Sequence, residues 1–152
     1  PGRLIVGNAG VLVTRVIYRK KGQRKHFAIV DAGMNDLIRP TLYEAYHDIW
    51  PVEAALRDAP PVKLDVVGPV CETGDYLALG RTMAPVEPGD LIAVMTAGAY
   101  GAAQSGTYNS RLLVPEVLVK GRDYAVVRPR GSYQELIAAD RLPEWLRGKA
   151  TL

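Results

Sequence analysis

The sequence predicts a mainly β domain, a β-sandwich or Greek-key, barrel-like sheet carrying two or three short helices. Two observations lead there. Apolar, β-branched-rich runs of strand length recur along the chain, bounded by Gly, Pro, Asn or Asp. The helical patterns of about a dozen residues that parallel βαβ units need between most strands are missing.

The elements follow in order. Leu4 to Val6 is a short apolar run that reads as a strand, closed by Gly7-Asn8-Ala9-Gly10. Val11 to Tyr18 alternates in part and pairs with Phe27 to Val30 across the basic segment Arg19 to Lys25, a hairpin tip. Leu42, Ala45, Tyr46 and Ile49 fall at i, i+3, i+4 and i+7, which predicts a helix from Thr41 with Thr41 and Glu44 as its capping box. Pro51 stops it. Pro40 disfavours a helical Arg39, which is expected in the preceding loop. Tyr43 lies about 100° off the apolar stripe. Neither Arg39 nor Tyr43 is needed for the core, so both are free to face a ligand. Strands are then expected at Leu64 to Val70, at Leu91 to Thr96 after the turn Glu87-Pro88-Gly89-Asp90, and at Glu116 to Val119 and Tyr124 to Val127 around a Lys120–Asp123 loop. Ser132 and Glu135 form a capping box opening a helix through Leu136 and Ile137.

Composition narrows the class. With 48% hydrophobic and 23% charged residues, the 152-residue chain is read as one globular domain, 1–152. No apolar run approaches the ~20 residues of a membrane span, and no secretory signal pattern opens it. One cysteine cannot form an intrachain disulfide, which fits a cytoplasmic location. The net charge of +3 owes much to Arg19 to Lys25, which lacks the interleaved aromatics of a base-stacking surface; no nucleic-acid partner is expected. His26 and His47 have no partner at metal-ligand spacing, so no metal site is expected. Phosphate loops, Ser-His-Asp arrangements and zinc patterns are also missing. The opening Pro1-Gly2-Arg3 without Met is read as a cut at a domain or linker boundary.

One stretch stands out: Gly68-Pro69-Val70-Cys71-Glu72-Thr73-Gly74-Asp75, which holds the only cysteine. A lone cysteine is commonly a small buried hydrophobe. Glu72 and Asp75 beside it favour chemistry instead, because carboxylates are seldom placed next to a core thiol. Arg3 and Arg39 can each grip a carboxylate bidentately, or serve as surface charges. Gly7 to Gly10 and Ala97-Gly98-Ala99-Tyr100-Gly101 are turns or points of close ligand approach. Tyr100, between small residues, either projects its hydroxyl outward or packs.

Read together, several segments resemble the diaminopimelate decarboxylase family, pyridoxal-phosphate lyases of lysine biosynthesis with the alanine-racemase-like fold. They are Pro1-Gly2-Arg3-x-Ile5-Val6-Gly7-Asn8-Ala9-Gly10, then Val30-Asp31-Ala32-Gly33-Met34-Asn35-Asp36-Leu37-Ile38-Arg39-Pro40-x-Leu42-Tyr43-x-Ala45-Tyr46-His47, then the Cys71 stretch, Ala97 to Gly101, and Tyr108-Asn109-Ser110-Arg111. Thr73 departs from the family's usual serine and keeps the hydroxyl. The resemblance implies that this chain is the C-terminal β-rich domain of a two-domain homodimeric enzyme. The (β/α)8 barrel, with the Schiff-base lysine and most of the site for the pyridoxal 5'-phosphate cofactor, would lie outside it. It implies that Arg3, Arg39 and Tyr43 hold substrate carboxylates, that Cys71 and Glu72 reach into the partner subunit's site, and that Tyr100 stands near cofactor or substrate. The substrate would be meso-diaminopimelate, the products lysine and CO2. Glu72 suits the distal ammonium, and Cys71 is the implied general acid, since a thiol ordinarily keeps its proton at neutral pH. The alternatives are a related decarboxylase of ornithine, arginine or a polyamine precursor, or a non-catalytic scaffold on the same domain. The fragment alone is expected to be inactive.

Overall fold

Six strands form one sheet in the order β3-β6-β1-β2-β4-β5, every pairing antiparallel except β2 with β4. The strands are β1 (Leu12–Lys21), β2 (His26–Val30), β3 (Ile49–Pro51), β4 (Val62–Val67), β5 (Tyr76–Met83) and β6 (Leu91–Val94). The computed structural model describes residues 1–147; positions 148–152 of the expected domain lie outside them. The chain divides into two compact units, Pro1–Asn109 and the segment from Ser110 onward. The mainly β expectation, with few and short helices, is met.

Alternation along β1 turns Thr14 and Val16 inward. They join Ala28, Val30, Leu37, Leu64, Val66, Leu77, Ile92 and Val94, each 4% exposed or less, in the core of the first unit. Leu37 is fully buried. Leu37→Ala is expected to cost about 2–5 kcal/mol, lost burial plus the cavity left behind, read as a lower denaturant midpoint.

The edges β3 and β5 face each other across a cavity of about 370 Å³ lined by Ile49, Trp50, Pro51, Arg81, Thr82 and Met83 among others. Arg81 bridges toward it: its guanidinium lies 4.0 Å from the Tyr46 ring centroid and donates to the His47 carbonyl at 2.6 Å. The sheet is thus nearly closed, with the outer edges of β3 and β5 lining the gap.

Two expectations fail for identifiable reasons. Leu4 to Val6 is not a strand but part of a short helix, α1 (Gly2–Val6), with Leu4 and Ile5 more than three-quarters exposed. An apolar tripeptide does not by itself distinguish the two states. The helix expected from Thr41 to Ile49 is instead α2 (Arg39–Tyr43), which includes Arg39 and ends at Glu44 in the left-handed region, φ 53°. The Thr41–Glu44 capping box is absent. Thr41 already lies inside the helix, and its hydroxyl donates to the Gly74 carbonyl. Pro40 is tolerated in the first turn, where its missing N–H is no loss. Ile49 leaves the helical register to pair with Val94 in β3.

The β1–β2 hairpin is as expected, and its tip is closed by Gly22 N–H to the Lys25 carbonyl at 2.8 Å. Its charges are not all solvated. Lys25 Nζ reaches the buried Asp65 at 2.9 Å, and Arg19 pairs with Glu87.

In the second unit, β7 (Glu116–Lys120) and β8 (Asp123–Arg128) pair as the predicted hairpin, with Arg128 and Glu116 bridged at 2.9 Å. There α3 (Tyr133–Ile137) begins with the expected capping box, Ser132 Oγ accepting from Glu135 N–H at 3.2 Å while the Glu135 carboxylate accepts from Ser132 N–H at 2.8 Å. The Ser132 hydroxyl, which donates to the Glu135 carboxylate at 2.8 Å, and then the Ser132 N–H hold the Glu135 pKa below the ordinary glutamate value.

Candidate functional site

The loop after β2 organises the site. Asp31 accepts from the Thr14 hydroxyl and from Arg15 N–H, and Thr14 Oγ1 in turn accepts from Ala32 N–H at 2.9 Å. Asp36 accepts from Gly33 N–H at 2.9 Å. These bonds fold Asp31 to Asp36 into a compact turn, which delivers the chain to α2 with Arg39 in its first turn.

Arg39 is 9% exposed. Its guanidinium carbon lies 5.6 Å from the Tyr43 ring centroid and 5.2 Å from that of Tyr100. Stacking on two aromatic faces favours a cation. No hydrogen bond or ion pair reaches the Arg39 side chain among the described residues. A buried guanidinium without a carboxylate is costly unless something else completes it. Its planar fork suits one carboxylate held bidentately. Tyr43 and Tyr100 stay about half exposed, so the hydroxyls remain accessible. Tyr100 adopts φ 67°, a strained conformation for a tyrosine.

The loop carrying Tyr100 is sewn to the N-terminal segment. Gly98 N–H donates to the Gly7 carbonyl at 3.0 Å, Ala97 N–H to the Gly10 carbonyl at 2.9 Å, and the Thr96 hydroxyl to Asn8 Oδ1 at 3.0 Å. A Cβ on Gly98 would stand 2.2 Å from the Val6 carbonyl oxygen, so only glycine lets the two backbones meet. Arg3 is therefore presented on the short helix anchored to Tyr100's loop. It is exposed, and its side chain makes no polar contact among the described residues.

Cys71 and Glu72 lie on the turn between β4 and β5. β4 ends at Val67, short of the expected Val70. Both residues are exposed. Glu72 Oε2 accepts from the Tyr108 hydroxyl at 3.2 Å, and Oε1 from Gly74 N–H at 3.4 Å. The bond to Glu72, and the charge it carries, push the Tyr108 phenol above its ordinary pKa, so Tyr108 stays a donor. Asp75 does not share this role. It is buried, its oxygens accepting from Met34 N–H at 2.6 Å and Val70 N–H at 2.5 Å, and it shapes the turn from inside.

The six predicted site residues thus fall into two clusters. Arg39, Tyr43 and Tyr100 touch one another, with Arg3 on the neighbouring segment; Cys71 and Glu72 sit on their own turn. Among the described residues no hydrogen bond, ion pair or ring contact joins these side chains directly, but the segments that carry them meet where the Thr41 hydroxyl of α2 donates to the Gly74 carbonyl of the Glu72 turn. The sequence reading missed the contact of Tyr108 with Glu72, and also Asn35, which is 5% exposed and donates to the Gly106 and Tyr108 carbonyls at 3.0 and 2.8 Å. Their one signal was membership in the segments that carried the resemblance.

A near-closed sheet thus carries, between two tyrosines, an arginine with no ion pair among the described residues, an arrangement whose chemistry suits a carboxylate. Residues 4–98 match the C-terminal sheet domain of pyridoxal-dependent decarboxylases, and the chain belongs to that family. It is 56% identical over 93% of its length to a diaminopimelate decarboxylase of Pseudomonas aeruginosa and 49% identical over 96% to one of Zymomonas mobilis. The crystal structure of diaminopimelate decarboxylase from M. jannaschii in co-complex with L-lysine superposes with a TM-score of 0.89, at 35% identity, over 96% of this chain and 33% of that one. The chain spans about a third of the length of the curated relatives it matches. Among the described residues no helix is long and apolar enough to cross a membrane.

Proposed function

We propose that the chain is the substrate-holding C-terminal domain of a diaminopimelate decarboxylase, which converts meso-diaminopimelate to L-lysine and CO2 as a homodimer in the cytoplasm. The observation that carries this reading is the Arg39 guanidinium, buried between Tyr43 and Tyr100 without a carboxylate of its own. A ligand with a carboxylate at each end offers the missing partner. Similarity to named diaminopimelate decarboxylases at about half identity supports the particular substrate.

Pyridoxal phosphate, when bound, supplies the electron sink for the carbon–carbon bond that breaks. The Schiff-base lysine and the phosphate site belong, in this reading, to a (β/α)8 barrel in the two thirds of the enzyme beyond this chain. The groups here fit a supporting role: the Tyr100 ring carries the Arg39 guanidinium and is still about half exposed, open to a cofactor or a substrate. Arg39, Tyr43 and Arg3 bind substrate carboxylate groups. Glu72, on an exposed turn, reaches across to the partner's site and holds the distal ammonium, which excludes substrates lacking that charge. The Cys71 thiol gives its proton to the carbon that CO2 has left. The thiolate that remains is exposed and recovers a proton from water.

The test is lysine release from meso-diaminopimelate by the full-length protein, with ornithine and arginine in parallel. Lysine formation, with the other two amino acids untouched, is expected. Product from ornithine or arginine alone would move the enzyme to the related decarboxylases and remove the carboxylate-holding roles given to Arg39 and Tyr43.

A further inference from the structure

We propose that Tyr108 is a positioning residue: its hydroxyl fixes the Glu72 carboxylate in the orientation that receives the distal ammonium of the ligand. The inference rests on the reading of Glu72 given above.

Glutamate on an exposed turn ordinarily samples several rotamers. Here both oxygens are engaged from the protein side, Oε2 by the Tyr108 hydroxyl at 3.2 Å and Oε1 by Gly74 N–H at 3.4 Å. Each oxygen keeps lone-pair capacity for a further donor, so the bonds orient the group without saturating it. An oriented carboxylate meets an ammonium without first losing rotamer freedom.

Tyr108 is itself held more firmly than a surface tyrosine needs to be. It is 54% exposed, yet the buried Asn35 binds its carbonyl at 2.8 Å, and Gly106 N–H returns a bond to the Asn35 carbonyl at 3.0 Å. The next two residues, Asn109 and Ser110, both adopt φ 56°, left-handed conformations that persist only where the surroundings impose them. The adjacent Met34 N–H binds Asp75, which shapes the Glu72 turn. The dipeptide Met34-Asn35 therefore ties together the turn that carries Glu72 and the loop that carries Tyr108. Two exposed polar side chains on segments far apart in sequence are brought into register from a single buried point.

The test uses the full-length, cofactor-loaded enzyme and two ligands. Lysine keeps the distal ammonium; 6-aminohexanoate keeps its carboxylate and lacks that ammonium. Binding is read by calorimetry, independently of turnover. Tyr108→Phe is expected to weaken lysine roughly tenfold, the scale of one hydrogen bond to a charged group, and to leave 6-aminohexanoate unchanged. In a Glu72→Gln background, Tyr108→Phe is expected to add no further loss. Equal weakening of both ligands would make Tyr108 merely structural and overturn the inference, as would no weakening of either. If Glu72→Gln abolishes the preference for lysine while Tyr108→Phe spares it, the inference alone falls. If Glu72→Gln leaves that preference intact, the reading of Glu72 falls, and the inference with it.

Discussion

Cys71→Ala in the full-length, cofactor-loaded enzyme is expected to lower turnover by roughly 10²–10⁴-fold, the range supplied by a positioned general acid. Cofactor absorbance, KM and thermal stability should stay near those of the parent. The expectation follows from where the thiol sits. Cys71 is exposed on the turn after β4, outside the hydrophobic core. Truncating it empties no cavity, and surface changes of this kind usually shift stability by no more than about 0.5 kcal/mol. A structural cysteine would behave in the opposite way, with turnover, cofactor retention and stability falling together. Cys71→Ser sharpens the comparison. It restores a proton-bearing group of similar size but much weaker acidity, so an intermediate rate is expected if the proton matters, and full recovery if only volume does.

The same residue shows how far a sequence carries such an argument. The strands Leu12–Lys21, His26–Val30 and Leu91–Val94 were legible because alternation and β-branching act locally. The Ser132–Glu135 capping box was legible because its partners lie three residues apart. Thr41 and Glu44 carried the same signature and do not form it, because the Gly74 carbonyl takes the Thr41 hydroxyl from a distant turn. Strand β3 is too short to announce itself and exists by pairing with β6; β5 is interrupted by Gly80 at φ 56°, which blurs its alternation. At the site, residue types pointed to Arg39, Tyr43, Tyr100, Cys71 and Glu72. That Arg39 is stacked between both tyrosines, and that Tyr108 meets Glu72, are tertiary facts with no local pattern behind them. Asp75 was drawn toward chemistry by its neighbours in sequence, yet its carboxylate serves the backbone.

That backbone role makes Asp75→Asn the second variant with a large expected effect. One carboxylate oxygen accepts from Met34 N–H and the other from Val70 N–H, both partly buried. Asparagine has the same shape but only one acceptor oxygen, so its amide must confront an N–H donor on one side. The cost expected is about 1.5–3 kcal/mol, that of one lost hydrogen bond to a charged group, seen as an earlier unfolding transition. Asp75→Ala leaves both N–H groups unpaired and is expected to cost about 2–6 kcal/mol, twice the ~1–3 for one buried group left unsatisfied. Turnover should suffer beyond what stability explains, because Cys71 and Glu72 lie between Val70 and Asp75 and take their geometry from this carboxylate. Gly68→Ala attacks the same point from the other side, since its new Cβ would fall 2.4 Å from Asp75 Oδ2 and force the carboxylate to move. Matching losses of turnover in Asp75→Asn and Gly68→Ala, with cofactor still bound, are the expected result. An Asp75→Asn enzyme that is destabilised yet turns over at the parent rate would mean that the turn keeps its shape without the carboxylate, and that Cys71 and Glu72 are set by contacts with the rest of the enzyme instead.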